Sequence, residues 1–389
     1  MTVSNRDFDR AEPPNLSHLM VDVDTPPEDA RSIVARLRVL AQQFPDDEHV
    51  QINLAIGLRN LGVDAALDEE RRLVDELKEL VDRCMDNPLT MPTVAQQLAA
   101  SLANLTAAPD IGITDARSAV ADLRQLRERF PHDQYVALQL AKALFNLTAD
   151  PEVGLEETST AVDELRTLAA RFPDDAGIAF RLAKGLYNLF ASSDPGKAVE
   201  ELRGLRDRFA GDEDIISELA DALVNLSDIA DLPTAVVIAQ ELSDLARQFP
   251  DVATVGIDLA FALFSVCRKP EASGDQINAA ERSLRDLVEE RRDGDIKTWL
   301  APMLIVVLSR CQSREQATPI VDELVQMMDA HVTAEDSAAS LVDLFGESSN
   351  ILAGASYWSE QVLESPHELT RILAVAAAGV DQDAGNPWT

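Results

Sequence analysis

Apolar residues recur along this chain at three- and four-residue spacing, and strand-like alternation is missing. Two kinds of block alternate. The first is an octet, Leu-Ala-x-x-Leu-x-Asn-Leu, found as LAIGLRNL from Leu54, LAASLANL from Leu98, LAKALFNL from Leu140, LAKGLYNL from Leu182 and LADALVNL from Leu219. LAFALFSV from Leu259 keeps the spacing but ends in Ser-Val, and LAPMLIVV from Leu300 is a degraded seventh copy. Between octets lies the second block, with VARLRVLAQQFP from Val34, VDELKELVDRC from Val74 and VADLRQLRERFP from Val120. It continues as VDELRTLAARFP from Val162, VEELRGLRDRF from Val199 and AQELSDLARQFP from Ala239. Each block predicts an amphipathic helix.

The punctuation predicts where the helices turn. Phe44-Pro-Asp-Asp, Phe130-Pro-His-Asp, Phe172-Pro-Asp-Asp and Phe249-Pro-Asp join a second-block helix to the next octet helix. Proline cannot continue the helix before it. Asp47, Asp133 and Asp175 then stand where an N-cap is needed, and the Phe can fold back on the new helix as a staple. One hairpin cannot cover its own leucines, so stacking is required to bury Leu140, Leu144, Leu147, Leu165 and Leu168. The small second residue of each octet (Ala55, Ala99, Ala141, Ala183, Ala220, Ala260) lets a partner helix approach closely. The expected architecture is all-α, a helical-hairpin solenoid over residues 28–331. A disordered tail, 1–27, precedes it. A helical capping segment with a disordered end, 332–389, follows, with helices near 334–345, 351–363 and 366–378 and with Trp358 covering the last apolar face. Pro302 is expected to kink or shorten the seventh octet helix.

These features resemble the tetratricopeptide repeat (TPR). Leu140-Ala141-x-x-Leu144 stands for the family's first-helix Leu-Gly-x-x-Tyr. Ala161-x-x-x-Leu165, with Pro173 eight residues on, stands for its Ala-x-x-x-Phe and Pro. The resemblance covers roughly residues 28 to 331. It implies a right-handed superhelix whose concave groove is lined by the exposed face of the first helices. Two departures stand out. The period is near 42, which implies a loop about eight residues longer than a 34-residue repeat allows. Small residues such as Ala95, Ala137 and Ala179 also replace the family's early Trp. Other paired-helix solenoids therefore stay open.

Charge changes the picture. The chain carries 68 acids against 34 bases, a net charge of −34, and its lysines number six: Lys78, Lys142, Lys184, Lys197, Lys269 and Lys297. Such a surface repels nucleic acid and anionic lipid, whose binding needs cations to neutralise phosphate. The acid is either a solvation device for a salty, halophilic cytoplasm or a docking surface for a basic partner. Cys84, Cys267 and Cys311 are odd in number and far apart, as expected of core residues in a cytoplasmic protein. The first 27 residues show neither a signal pattern nor a membrane span.

Candidate binding residues follow from register. Asn60, Asn104, Asn146, Asn188 and Asn225 would form a ladder along one edge, either pairing with the backbone of an extended peptide or closing their own helices. Carried over from the family, the groove positions are Phe180 at one level, Lys142, Lys184 and Phe261 at the next, then Phe145, Tyr187 and Phe264, with Tyr135 near a helix start. Apolar anchors beside a few cations suit an acidic, apolar peptide or helix. Alternatively, each aromatic packs against the neighbouring repeat. A cationic column, Arg38, Lys78, Arg124, Arg166, Arg203 and Arg285, suggests ion pairs between repeats. No Gly-rich phosphate loop, paired-Cys motif or His-x-x-x-His occurs, so neither catalysis nor a metal or cofactor is expected. The expected function is a scaffold or adaptor that binds a protein or peptide. The alternative is a regulatory or sensor module whose superhelix binds a small molecule.

Overall fold

The computed structural model describes residues 25–63, 65–190, 195–291, 296–297, 299–330 and 349–362. Among them are sixteen helices and no strand. The octets lie in α2 (Glu48–Gly62), α4 (Met91–Leu105), α6 (Gln134–Thr148), α8 (Ala176–Phe190), α10 (Glu213–Ile229), α12 (Ala253–Arg268) and α14 (Leu300–Ser309). The second blocks lie in α1 (Pro27–Gln43), α3 (Leu67–Arg83), α5 (Ile113–Arg129), α7 (Leu155–Arg171), α9 (Pro195–Arg208) and α11 (Leu232–Gln248). α13 (Gly274–Arg291) and α15 (Arg314–Ala330) continue that series, and α16 (Ser349–Val362) ends it.

The chain divides into two compact units, Met1–Asp194 and Pro195–Thr389, a division that the repeat pattern does not mark. Within the first unit α2, α4, α6 and α8 pack each on the next, α2, α4 and α6 also pack on the second-block helices before and after them in the chain, and α8 packs on α7. Within the second unit α10, α12 and α14 are related in the same way, and α16 packs on α14 and α15. Helical hairpins thus stack in register within each unit.

The turn chemistry acts as the sequence predicts. Phe44, Phe130, Phe172 and Phe249 end their helices at φ between −128° and −120° and ψ between 65° and 68°. Each Phe carbonyl then accepts from the amide three residues on, at 3.1–3.2 Å. The carboxylates of Asp47, Asp133 and Asp175 accept from Val50, Val136 and Ile178 N–H at 3.1, 3.0 and 2.9 Å. The same motif recurs without proline at Phe209, where Gly211 takes φ 94° and Asp212 caps Ile215 at 3.1 Å. All five Phe rings are half-buried.

The long period has a different origin from the one expected. The octet–block connections at 106–112, 149–154, 230–231 and 269–273 are between two and seven residues long. Much of the added length is helical: α6 has 15 residues and α7 has 17. Leu140, Leu144, Leu147, Leu165 and Leu168 are buried, and all six octet alanines are fully buried. At Gly185 the close approach goes further, since a Cβ there would lie 2.9 Å from Leu165 Cδ1. Pro302 falls in the first turn of α14, which is ten residues long, shorter than every other octet helix. Cys84, Cys267 and Cys311 are free thiols, and burial pushes Cys267 up to about 12. Of the expected capping segment, α16 matches the helix near 351–363. The tail over 1–24, the helices near 334–345 and 366–378 and the chain end lie outside the described residues.

Candidate functional site

On the octet helices of the first unit, acid is almost absent. α4, α6 and α8 contain no Asp or Glu, and α2 contains only Glu48 at its start. In a chain with 68 acids this is a pronounced segregation. Cations gather on these helices instead. Arg59, Lys142, Arg181 and Lys184 are half-buried, as are Phe145, Phe180 and Tyr187.

The rings and cations meet. The Arg181 guanidinium lies 4.7 Å from the Phe180 ring centroid and 5.8 Å from that of Phe145. Lys184 Nζ lies 5.1 and 6.0 Å from the same two centroids. Both geometries fall within the range of cation–π attraction. Lys142 shows the electrostatic result: burial holds its ammonium below the usual lysine range, and the charges of Arg181 and Arg59 lower it further. The structure therefore brings together Lys142, Phe145, Phe180, Lys184 and Tyr187, with Arg59, which shares the register of Phe145 and Tyr187 and is a groove position on the same resemblance, and with Arg181, which the register does not point to. Arg181 precedes its octet by one residue, and its charge in an acid-free helix was the available signal. Tyr135, 37% exposed, stands at the start of α6.

Phe261 and Phe264 belong to the other unit and to a different environment. Phe264 is fully buried, its ring 6.5 Å from Phe261 and 6.0 Å from Trp299, while Phe261 and Trp299 meet edge to face at 5.0 Å. A partner cannot reach Phe264, so it leaves the candidate surface. Phe261 is half-buried.

The asparagine ladder resolves into unequal members. Asn146 Nδ2 donates to Thr106 Oγ1, and Asn188 Nδ2 to Thr148 Oγ1, both at 3.0 Å and each reaching the preceding octet helix. Each threonine spends its own proton on a carbonyl three residues back, that of Ala103 or Phe145, at 2.7 Å. A relay of hydroxyl and amide thus ties one repeat to the next. Each bond joins the threonine that follows one octet to the asparagine of the next octet. Gly62 takes the threonine position below Asn104, and Asn104 is exposed. Asn225 donates to Asp221 O at 2.8 Å, and Asn60 accepts from Arg59 at 2.8 Å.

The cationic column is largely a ladder of ion pairs. Arg38 meets Glu76 at 2.7 Å, Lys78 meets Asp122 at 2.8 Å, Arg124 meets Glu164 at 2.8 Å, Arg203 meets Glu241 at 2.6 Å and Arg285 meets Glu323 at 2.5 Å. Arg166 bonds Asp163 on its own helix at 2.6 Å. Among the described residues no His, Cys, Asp and Glu group is arranged to hold a metal, and no helix is long and apolar enough to cross a membrane.

No family model matches the chain, nor does any curated protein. Among solved structures it is similar to a crystal structure described as an engineered protein from a structural genomics consortium. Identity is 21%, each chain is covered to 92%, and the TM-score is 0.55. The chain is an all-helical repeat protein. At that identity the likeness speaks to fold alone, and the octet helices of the first unit remain the place where this repeat protein concentrates unlike chemistry.

Proposed function

We propose that this protein is a TPR-like interaction scaffold, and that the octet-helix face of the first unit holds an acidic, apolar peptide or helix of a partner protein. One observation carries the reading: half-buried cations and aromatic rings are packed together, on helices nearly free of acid, in a strongly acidic chain. Burial, and then the like charges of Arg181 and Arg59, lower the lysine among them, and an anionic ligand relieves that repulsion. Phe145, Phe180 and Tyr187 supply flat apolar anchors of the kind that dominate binding energy at interfaces. The asparagines tied to threonines serve the frame, which leaves Tyr135 and Asn104 as polar rim. The partner is a protein or peptide, and no cofactor enters the reading.

The test is a fluorescence-anisotropy titration with labelled peptides that combine Asp or Glu with Leu and Phe, set against versions with the acids changed to Lys. The acidic peptide is expected to bind. Phe145→Ala with Tyr187→Ala should weaken it about tenfold or more, with the helical circular-dichroism signal retained. Unchanged affinity, or a preference for the basic peptide at this face, would sink the assignment.

A further inference from the structure

Between neighbouring second-block helices the acid–base rung sits at a fixed register. The interface between α11 and α13 lacks it. Ser243 in α11 stands where Arg38, Lys78, Arg124, Arg203 and Arg285 stand in their helices. Ser283 in α13 stands where Glu76, Asp122, Glu164, Glu241 and Glu323 stand. Seven residues earlier, the first unit has a second rung: Arg31 with Glu69 at 3.2 Å, Arg71 with Asp115 at 2.5 Å and Arg117 with Glu157 at 2.6 Å. Between α11 and α13 those positions hold Val236 and Gln276. Both rungs are therefore gone from the same interface.

A cleft of about 810 Å³ opens there, and Val236, Ser243, Gln276 and Ser283 all line it. Leu259, Leu263 and Val266 of α12 form its apolar floor. The two lining arginines are already engaged. Arg247 bonds Asp244, and Arg291 donates to Ala246 O at 2.8 Å and Val252 O at 3.1 Å. Asp251, Asp286 and Glu290 line the same cleft, and none forms an ion pair among the described residues. From Val236 to Arg247 the cleft follows α11 for about 16 Å, roughly three helical turns.

We propose that this cleft docks a basic, amphipathic helical segment of another protein. Its apolar stripe would lie on the leucines of α12, in the groove left between two helices. Its Lys or Arg heads would meet Asp251, Asp286 and Glu290, supplying the positive charge that is missing at the register of Ser243. The site lies in the other unit from the proposed peptide-binding face and selects the opposite charge, so either can fail without the other.

The experiment uses the full chain and a labelled helical peptide with Leu on one face and Lys on the other, beside a matched peptide with Glu for Lys. Anisotropy titrations at physiological ionic strength should show binding of the basic probe here. Ser243→Arg with Ser283→Glu rebuilds a rung at unchanged net charge and should weaken that binding about tenfold or more, because the cleft is filled. Asp286→Asn with Glu290→Gln should weaken it severalfold. Equal binding by the rung variant overturns the proposal, since the attraction is then only that of a chain at −34. Should the rung variant lose its helical signal, the Asp286 and Glu290 variant decides, and unchanged affinity there overturns it as well.

Discussion

The two units use one template and finish it in opposite ways. In the residue before the octet and in the octet's third position, the first unit places Arg181, Lys142 and Lys184, whereas the second places Glu218, Asp258 and Asp221. The rings differ as well: Phe145 and Tyr187 are half-buried, whereas Phe264 is sealed under Trp299. The second-block helices repeat the contrast, with two rungs at each of three interfaces in the first unit and one or none between α9, α11, α13 and α15. What repeats is the buried frame of Leu and Ala. What varies lies one residue away on the same helices, where burial does not dictate the choice, and there each unit acquires its own chemistry.

The largest expected effect tests whether the frames are equal. Leu144 and Leu223 occupy the same octet position in the two units, and both are fully buried. Leu144→Ala and Leu223→Ala should each cost roughly 2–5 kcal/mol, with a residual cavity in either case. Urea titrations followed by circular dichroism would read both. If one cost less than half of the other, the comparison would have to extend to the cores themselves.

The buried frame was legible in the sequence because its cause is local: leucines at helical spacing, and Phe-Pro-Asp turns whose capping bonds close within four residues. The solenoid element order, the caps and the ion-pair column all follow from that. Three features were not legible in the same way. Phe264 looks like Phe145 in register, and its burial depends on Trp299, which arrives from beyond the next second-block helix. The Asn–Thr relay needs two repeats in register, and a single repeat does not announce it. The division after Asp194 leaves no mark in a pattern that runs straight through it.

A second effect separates the units by pH. Burial, reinforced by the charge of Asp221, pushes the Asp258 carboxyl up to about 8, and its Oδ2 meets no donor among the described residues. Unfolded, the group returns to the ordinary carboxylate range. Between that range and about 8 the folded chain holds a proton that the unfolded chain has lost, so stability falls as pH rises through this window and levels off above it. Asp258→Asn should therefore stabilise the protein at about pH 9, by on the order of 5 °C, and change little near pH 4. Trp299 and Trp358 both lie in the second unit, so tryptophan fluorescence melts would report on the right half of the molecule. A variant with the same advantage at both pH values would show that packing, not ionisation, sets the difference.

The smallest effect concerns how repeats are tied. In the first unit Asn146 reaches Thr106 across the stack at 3.0 Å, whereas Asn225 bonds its own helix at Asp221 O. A double-mutant cycle of Asn146→Ala and Thr106→Val should therefore give a coupling of about 1 kcal/mol, the net worth of one hydrogen bond between partly buried groups. The matching cycle in the second unit, Ser265→Ala with Ser227→Ala, should be additive, because Ser265 Oγ donates to the Ser227 backbone carbonyl, at 3.4 Å, and the Ser227 hydroxyl meets no partner among the described residues. Each Thr106 variant also frees the Ala103 carbonyl that the hydroxyl had satisfied, and the cycle cancels that term because it appears in both the single and the double variant. Equal coupling in the two units would mean that the relay does not distinguish them. The unlike chemistry would then be confined to the charged and aromatic positions.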